Sequence, residues 1–286
     1  MALAAGTPAW AEPDSAGELN AAVSPVPAVN LRAIQANAAP VPLPPLPTDV
    51  PEAVSPDPAG LVGLYPTQAA ELGIGHLRPK DLSSLQDSNW PNSPLLNANW
   101  LRGVALPLYA QPGGEPWGWF VNGWLMVDQN PPLAVGRDAT FTMLHTYYGL
   151  YTFPVMEIRQ DGWFRIQYTP LGSAWAHVSH LNAGTTELAL ETWEERFLAA
   201  GSIEFRSHGV SQALMPQPGG VSTLQALIGP NSLIQPLEFE GDWVRVRVTQ
   251  PVDACSPLPG ADTKEGWVRW RSRDLNSLVW FPPEGC

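Results

Sequence analysis

Two stretches of this chain carry one pattern: LYTFPVMEIRQDGWFRIQYTPLGSAWAHVSHLN at 150–182 and LIQPLEFEGDWVRVRVTQPVDACSPLPGADTKEGWVRW at 233–270. Such a repeat constrains the fold strongly, because each copy has to be one supersecondary unit with the same arrangement of strands. Each copy has an apolar strand, then an acidic turn at Gln160, Asp161 and Gly162 or at Glu240, Gly241 and Asp242. A Trp then opens an alternating strand, Trp163 to Tyr168 or Trp243 to Val248, and a hairpin returns to a second Trp strand at Trp175 or Trp267. The match extends upstream, where 108–114 (LYAQPGG) mirrors 214–220 (LMPQPGG), so two whole units are repeated.

The chain of 286 residues has 32 prolines, and twelve of them fall in the first sixty positions, where Trp10 is the only aromatic. Runs such as APVPLPPLPTDVPEAVSPDPAG offer few side chains to offset the entropy of ordering, so residues 12–60 are expected to be a disordered Pro/Ala-rich linker. Residues 1–11 end in Ala9, Trp10 and Ala11, small residues at the two positions a signal peptidase reads. They resemble the remnant of an export signal, and export to the periplasm or cell envelope is expected. No apolar run reaches the length of a membrane span. A net charge of -12 with only fifteen Lys and Arg argues against a nucleic-acid partner. Arg245 and Arg247 share one strand face, as do Arg269, Arg271 and Arg273, and a solvated sheet face is the expected role. Cys255 and Cys286 both fall in the second repeat. A disulfide between them is expected, worth roughly 3 to 4 kcal/mol for a loop of this size.

Residues 61–100 contain TQAAELGIGHLRPKDLSSLQ, which reads as a short helical lead-in limited by Pro79. The first unit, 101–182, carries an aromatic insert in which Trp117, Trp119 and Trp124 surround Asn122-Gly123, a strong two-residue hairpin signal. Residues 183–200 read as a connecting helix from Thr185, with Ala189, Leu190, Trp193 and Phe197 on one face and Gly201 as the stop. The second unit is 201–286, and its short Val-, Trp- and Arg-rich strands have the spacing of a small barrel.

Taken together, the Gly162-Trp163 and Asp242-Trp243 hairpins with the Trp175 and Gly266-Trp267-Val268 strands resemble bacterial SH3-like domains, present here in two tandem copies. The resemblance implies an all-β chain of two small barrels joined by a short helix. It implies a binding or positioning module of the cell envelope, with peptidoglycan, a peptide or an envelope protein as partner. Ser179-His180 and Arg271-Ser272 stand where eukaryotic SH3 domains carry the Pro and Tyr of their peptide groove, so recognition of PxxP ligands is not implied.

No catalytic constellation emerges. His177 and His180 are three apart, which on an extended strand puts them on opposite faces, and no Ser sits in a Gly-x-Ser-x-Gly elbow. A non-enzymatic role without a cofactor is therefore expected. The repeated Trp163, Trp175, Trp243 and Trp267 are expected to fill the barrels. The aromatics outside the common pattern form the candidate binding site: Trp117, Trp119, Asn122 and Trp124 in the insert, with Tyr147, Tyr148 and Tyr151 on the strand after it. A second small core beneath the insert is the competing reading. The alternative function is a structural or assembly subunit of an envelope complex, and a metal-dependent hydrolase ranks below both.

Overall fold

The computed structural model describes residues 30–63, 72–83, 99–147, 150–207, 209–219, 224–272 and 276–282, and most of them are in β-strands. The expected export-signal remnant, and positions 12–29 of the expected linker, lie outside the described residues. Helix α1 (Leu31–Asn37) opens on Asn30, whose Oδ1 accepts from the Ala33 amide at 3.0 Å, and it buries Leu31 and Ile34. Strands β1 (Leu61–Val62) and β2 (Gly75–Pro79) precede a ribbon of β3 (Ala105–Tyr109), β4 (Pro116–Val121), β5 (Trp124–Val127) and β6 (Leu133–Ala134). Next come β7 (Phe141–Thr142) and β8 (Leu144–Tyr147), then a meander of β9 (Leu150–Ile158), β10 (Trp163–Gln167) and β11 (Ser173–His177), followed by a 3₁₀ turn at Val178–His180. Strand β12 (Leu188–Thr192) and helix α2 (Trp193–Ala200) lead into the second half. That half contains β13 (Glu204–Phe205), β14 (Gln212–Leu214), β15 (Ala226–Ile228), a meander of β16 (Leu233–Glu240), β17 (Trp243–Asp253) and β18 (Ser256–Arg269), and β19 (Val279–Trp280).

The repeat read in the sequence is a repeat of strand order. In the first unit the order is β12-β2-β9-β10-β11-β3-β4-β5-β6, with β8 also pairing β9. The second unit has the same order in shorter pieces. There β19 pairs β13, Ile203 bridges to Ile234 of β16, the meander follows, Met215 bridges to Trp267 of β18, and β14 pairs β15. The registers also agree. Arg165 lies opposite Glu157 and Trp175, and Arg245 lies opposite Glu238 and Trp267. Both meanders slip register just beyond that arginine, leaving Met156 and Leu237 as the extra residue of a bulge, which bends the sheet at the same place in each unit. Among the described residues no sheet closes into a barrel.

Each unit has its own apolar core. Leu106, Leu108, Phe120, Phe141, Phe153, Phe164 and Ile166 fill the first, and Val244, Val246, Val268, Trp270, Val279 and Phe281 the second. The second core also takes in Leu72 and Leu144 from the first half of the chain, together with Trp193 and Phe197 of α2, so the two units are packed together.

Four expectations change. Residues 30–60 are ordered and lie along the first unit, bonded to it at Val41, Glu52, Val54 and Asp57. The lead-in contains a strand at β2 in place of a helix, and β2 pairs with both β9 and β12, so the first unit is wider than 101–182. The connecting helix begins at Trp193, eight residues later than Thr185. Leu188 to Thr192 pair residue for residue with Pro79 to Gly75, a long-range partner that outweighs local helix propensity. A capping box then starts the helix: the Thr192 hydroxyl accepts from the Glu195 amide at 3.1 Å and the Glu195 carboxylate accepts from the Thr192 amide at 3.0 Å. Gly201, at φ 74°, ends it as expected. Finally, of the four repeated tryptophans only Trp163 is buried. Strand alternation sends Phe164, Ile166, Val244 and Val246 inward and leaves Trp175, Trp243 and Trp267 half-buried on the opposite face. There Arg165 lies over Trp175 at 6.0 Å and Arg269 over Trp243 at 5.2 Å.

Thr192→Ala removes the cap from the helix that joins the units. It should lower the unfolding free energy by about 1 kcal/mol in urea titrations, while Thr192→Ser should restore most of that loss.

Candidate functional site

The insert folds as a tight hairpin. Asn122 and Gly123 both have positive φ, 53° and 84°, the pairing that a two-residue type I′ turn requires, and Val121 pairs with Trp124 across it. Asn122 serves this turn: its Oδ1 accepts from the Gly103 amide at 2.9 Å, and its carbonyl accepts from the Val54 amide at 2.9 Å. A Cβ at Gly123 would stand 2.1 Å from the Val54 carbonyl oxygen, so only glycine lets the N-terminal segment approach here.

That segment is a strap. Ala38 rests on the Gly162 turn, where a Cβ would fall 2.6 Å from the Ala38 Cβ. Val41 is clamped by the 3₁₀ turn: its amide donates to Ser179 Oγ at 3.2 Å, and its carbonyl accepts from His180 Nε2 at 3.1 Å. Val50 packs into a small core with Ala105, Trp119 and Val121. Trp124 Nε1 donates to the Glu52 carbonyl at 2.8 Å, and the Asp57 amide donates to the Val135 carbonyl at 3.0 Å. Prolines 40, 42, 44, 45 and 47 hold their own φ near -65° and push the residue before each into extended conformations. Little backbone freedom is left to lose, so modest contact is enough to order a segment whose composition reads as linker.

Between the strap and the β4–β5 ribbon lies a cleft of about 580 Å³. Pro44 to Asp49 form one wall, and Trp117, Trp119, Met126 and the Asp128–Asn130 turn form the other. Its ionisable groups are Asp49 and Asp128, both acidic, so it suits neutral or cationic ligands and repels anions. Trp117 is half-buried: it packs against the first core, with Tyr168 tilted against it at 6.0 Å, and also lines the cleft. Trp119 is only 6% exposed and belongs to the small core beneath the insert. Trp124 holds the strap and carries Arg137 over its ring at 5.0 Å.

The seven residues read as one site therefore separate. Trp117, Trp119, Asn122 and Trp124 share the ribbon, whereas Tyr147 and Tyr151 lie on β8 and β9, and Tyr148 lies outside the described residues. Tyr151 supplies the carbonyl that accepts from Trp100 Nε1 at 2.8 Å. Tyr147 belongs to a buried polar cluster that local sequence signals do not reveal. The Glu191 carboxylate accepts from His76 Nε2 at 2.8 Å, Arg78 Nε at 3.0 Å and the Tyr147 hydroxyl at 2.8 Å. Trp193 stacks on His76 at 5.3 Å, and Arg196 lies over the Tyr147 ring at 3.8 Å. The members come from β2, β8, β12 and α2, and only their pairing brings them together.

His177 and His180 stand with ring centroids 6.0 Å apart, both engaged with main-chain carbonyls, of Asp161 and Val41. Among the described residues no group of three or more His, Cys, Asp or Glu side chains could hold a metal ion. Three arginines of the second unit are ion-paired: Arg245 reaches Glu238 at 3.0 Å and Glu265 at 2.9 Å, Arg247 reaches Glu265 at 2.9 Å, and Arg271 reaches Asp242 at 2.8 Å, whereas Arg269 lies over the Trp243 ring. Arg273 and Cys286 lie outside the described residues. No helix among the described residues is long and apolar enough to cross a membrane. No family model, curated protein or solved structure matches the chain.

Burial pushes the Glu191 carboxyl up, but the His76 hydrogen bond, the charges of His76 and Arg78 and the Tyr147 hydroxyl outweigh it and hold it down to about 2. Burial also holds His76 below its ordinary 6.5. Both shifts act in one direction. As pH falls below 6.5 the unfolded chain takes up the His76 proton before the folded one does, and below 4.5 the same holds for Glu191 down to about 2. Stability should therefore decline from pH 7 to 5 and further to pH 3 in urea titrations. His76→Gln should reduce the upper slope, leaving the part due to His145 and His180, which burial also holds below 6.5. Glu191→Ala strands Arg78 and Arg196 without their carboxylate and should cost about 3 to 5 kcal/mol at neutral pH.

Proposed function

We propose that the chain is an exported, non-catalytic binding protein of the cell envelope, built from two tandem SH3-like modules. It takes peptidoglycan, a peptide or a protein partner on the aromatic ribbon of its first module. The observation that carries this reading is the cleft walled by Trp117 and Trp119 on one side and by the strap on the other. A flat aromatic face with neighbouring amide and carboxylate groups is what sugars and extended peptides use. The repeated strand order, with a bulged meander and a 3₁₀ turn after it in the first unit, supports the modular reading. The His76–Glu191 pair has the chemistry of a general base but is fully closed to solvent at His76, which supports a structural role for it.

One observation favours the alternative of an assembly subunit. Beyond Thr249, where pairing with β16 ends, β17 and β18 continue as an arm through Val252↔Pro257 and Asp253↔Ser256; its base is anchored by buried Val252, whose amide donates to the Asn231 carbonyl at 3.0 Å, and its tip from Asp253 to Gly260 is exposed. Such an arm can grip another protein, and the proposed Cys255–Cys286 disulfide would brace its tip.

Co-sedimentation of the full chain with purified peptidoglycan sacculi at moderate salt tests the preferred reading. The wild-type chain should pellet and Trp117→Ala should not, while Trp117→Phe, which keeps an aromatic ring against the first core and Tyr168, should retain pelleting. Trp119→Ala serves as the packing control and should lower stability by about 3 to 5 kcal/mol. Pelleting that Trp117→Ala leaves intact excludes the cleft, and a wild-type chain that stays in the supernatant favours the assembly subunit.

A further inference from the structure

Among the described residues, eight buried side-chain nitrogen or oxygen atoms have no hydrogen-bond partner, and four of the eight belong to one short strand pair of the second unit. They are Nε and Nη2 of Arg206, Nε1 of Trp280 and Oγ of Ser202. Buried polar groups are bonded in the great majority of cases, so a local cluster of bare ones calls for a cause. The backbone brings them together. β13 pairs with β19 at Glu204↔Trp280 and Phe205↔Val279, and the Arg206 amide extends the ladder by donating to the Leu278 carbonyl at 3.0 Å. Strand alternation turns Ile203, Phe205 and Val279 one way and Ser202, Glu204, Arg206 and Trp280 the other. The Arg206 guanidinium lies over the Trp280 ring, with Cζ 4.4 Å from its centroid.

The cluster has a chemical sign. Three of its four atoms are N–H donors, which only an acceptor can use, and the fourth is a hydroxyl that can also donate. Nε and Nη2 are one side of the guanidinium fork, the side that takes both oxygens of a carboxylate in two parallel bonds. Glu204 acts on Arg206 through its charge but bonds neither of these nitrogens. Burial accordingly pulls the guanidinium down to about 10, against the smaller effect of Glu204. Charge sets the size of the missing group. One guanidinium balances one negative charge, and exposed Glu204 on the same face repels a second, so a single carboxylate suits the site better than a phosphate dianion. Arg206 is half-buried and no bond holds this side of its head, so rotation about its unbranched stem opens the fork and the Trp280 indole to a ligand.

We infer that Arg206 and Trp280 form a carboxylate-binding site in the second unit, in which Nε and Nη2 of Arg206 hold the two oxygens and Trp280 Nε1 donates to one of them. A free short-chain acid and the C-terminus of a peptide present the same group. The site is separate from the cleft of the first unit, and the inference does not rest on what binds there.

The experiment follows the indole N–H signals of the full chain by proton–nitrogen correlation NMR at constant neutral pH, with sodium acetate as the probe and sodium chloride as the ionic-strength control. Trp280→Phe assigns the Trp280 signal. Acetate should move that signal saturably and leave the other indole signals in place, and chloride should not move it. Arg206→Gln should abolish the shift, and Arg206→Lys, which keeps the charge but loses the planar fork, should weaken binding. Should Arg206→Gln fail to fold, Glu204→Gln decides: loss of this exposed, repelling charge should tighten acetate binding about threefold, and unchanged or weaker binding overturns the inference. The peptide acetyl-Ala-Ala-Ala and its C-terminal amide separate the two sources. A peptide acid that saturates the shift at about one-tenth of the acetate concentration assigns the site to a peptide C-terminus, and equal midpoints assign it to a free acid; either result supports the site. A Trp280 signal that neither acetate nor the peptide acid moves, a shift that survives Arg206→Gln, or an amide that acts as well as the acid overturns it. Sacculus pelleting is read separately, so failure of the cleft and failure of this site are distinguishable.

Discussion

The Glu191 carboxylate is the constraint on which the rest of the molecule depends. β12 cannot pair with β2 without burying this group, and a buried unpaired carboxylate would carry a penalty of several kcal/mol. Partners from separate elements remove it: His76 and Arg78 from β2, and Tyr147 from β8. The same partners carry the joint between the units. Trp193 stacks on His76, donates its indole proton to the Leu72 carbonyl at 2.8 Å and meets Trp280 of the second unit at 5.6 Å. Arg196 lies between Tyr147 and Phe281, one ring from each unit. A single buried charge thus couples the outer strand pair of the first unit to the docking of the second.

The strap shows a different solution to the cost of order. Fixing a residue's backbone costs roughly 1 to 2 kcal/mol of entropy, and a segment that touches its support at one residue in three cannot repay that for a freely flexible chain. Proline, and the restriction it places on the preceding residue, removes much of that entropy before folding begins. Shallow contact then suffices, and the segment covers Trp119 and the small core that a bare ribbon would leave open.

What could be read from the sequence was local or repeated. The duplicated meander, the Asn122-Gly123 turn and the Gly201 stop each depend on residues a few positions apart, and all appear in the structure. What could not be read depends on distant partners. Leu188 to Thr192 fit a helical face as well as a strand until β2, more than a hundred positions earlier, supplies the pairing. The Glu191 cluster assembles across the same distance, and neither His76 nor Tyr147 has a neighbour in sequence that marks it. The strap was misread for another reason. Composition measures how much apolar surface a segment can bury, and it does not show which residues face the protein: Leu43 and Leu46 are exposed, whereas Val41, Pro44 and Pro47 are the half-buried ones. Among the aromatics, sequence marked the ribbon but could not separate Trp117, half-buried against the first core, from Trp119 two residues away, which is buried with Val50 in a second small core.

Comparing the two units shows where specificity can arise. Both keep the bulged meander and the outer hairpin that bridges to it, through Tyr109↔Trp175 in one and Met215↔Trp267 in the other. In each, the arginine opposite the second Trp is tied to the glutamate of the preceding strand, Arg165 to Glu157 and Arg245 to Glu238. These shared contacts stabilise a framework and cannot discriminate between ligands, since they are spent on the protein itself. The features that differ are the extension of the first hairpin into a four-stranded ribbon and the strap laid across it, set against the long β17–β18 arm of the second unit. A repeated framework with unrepeated additions leaves those additions as the places where the two units can differ in what they contact, and among the described residues the first unit combines the aromatic ribbon, the cleft and the strap in one place.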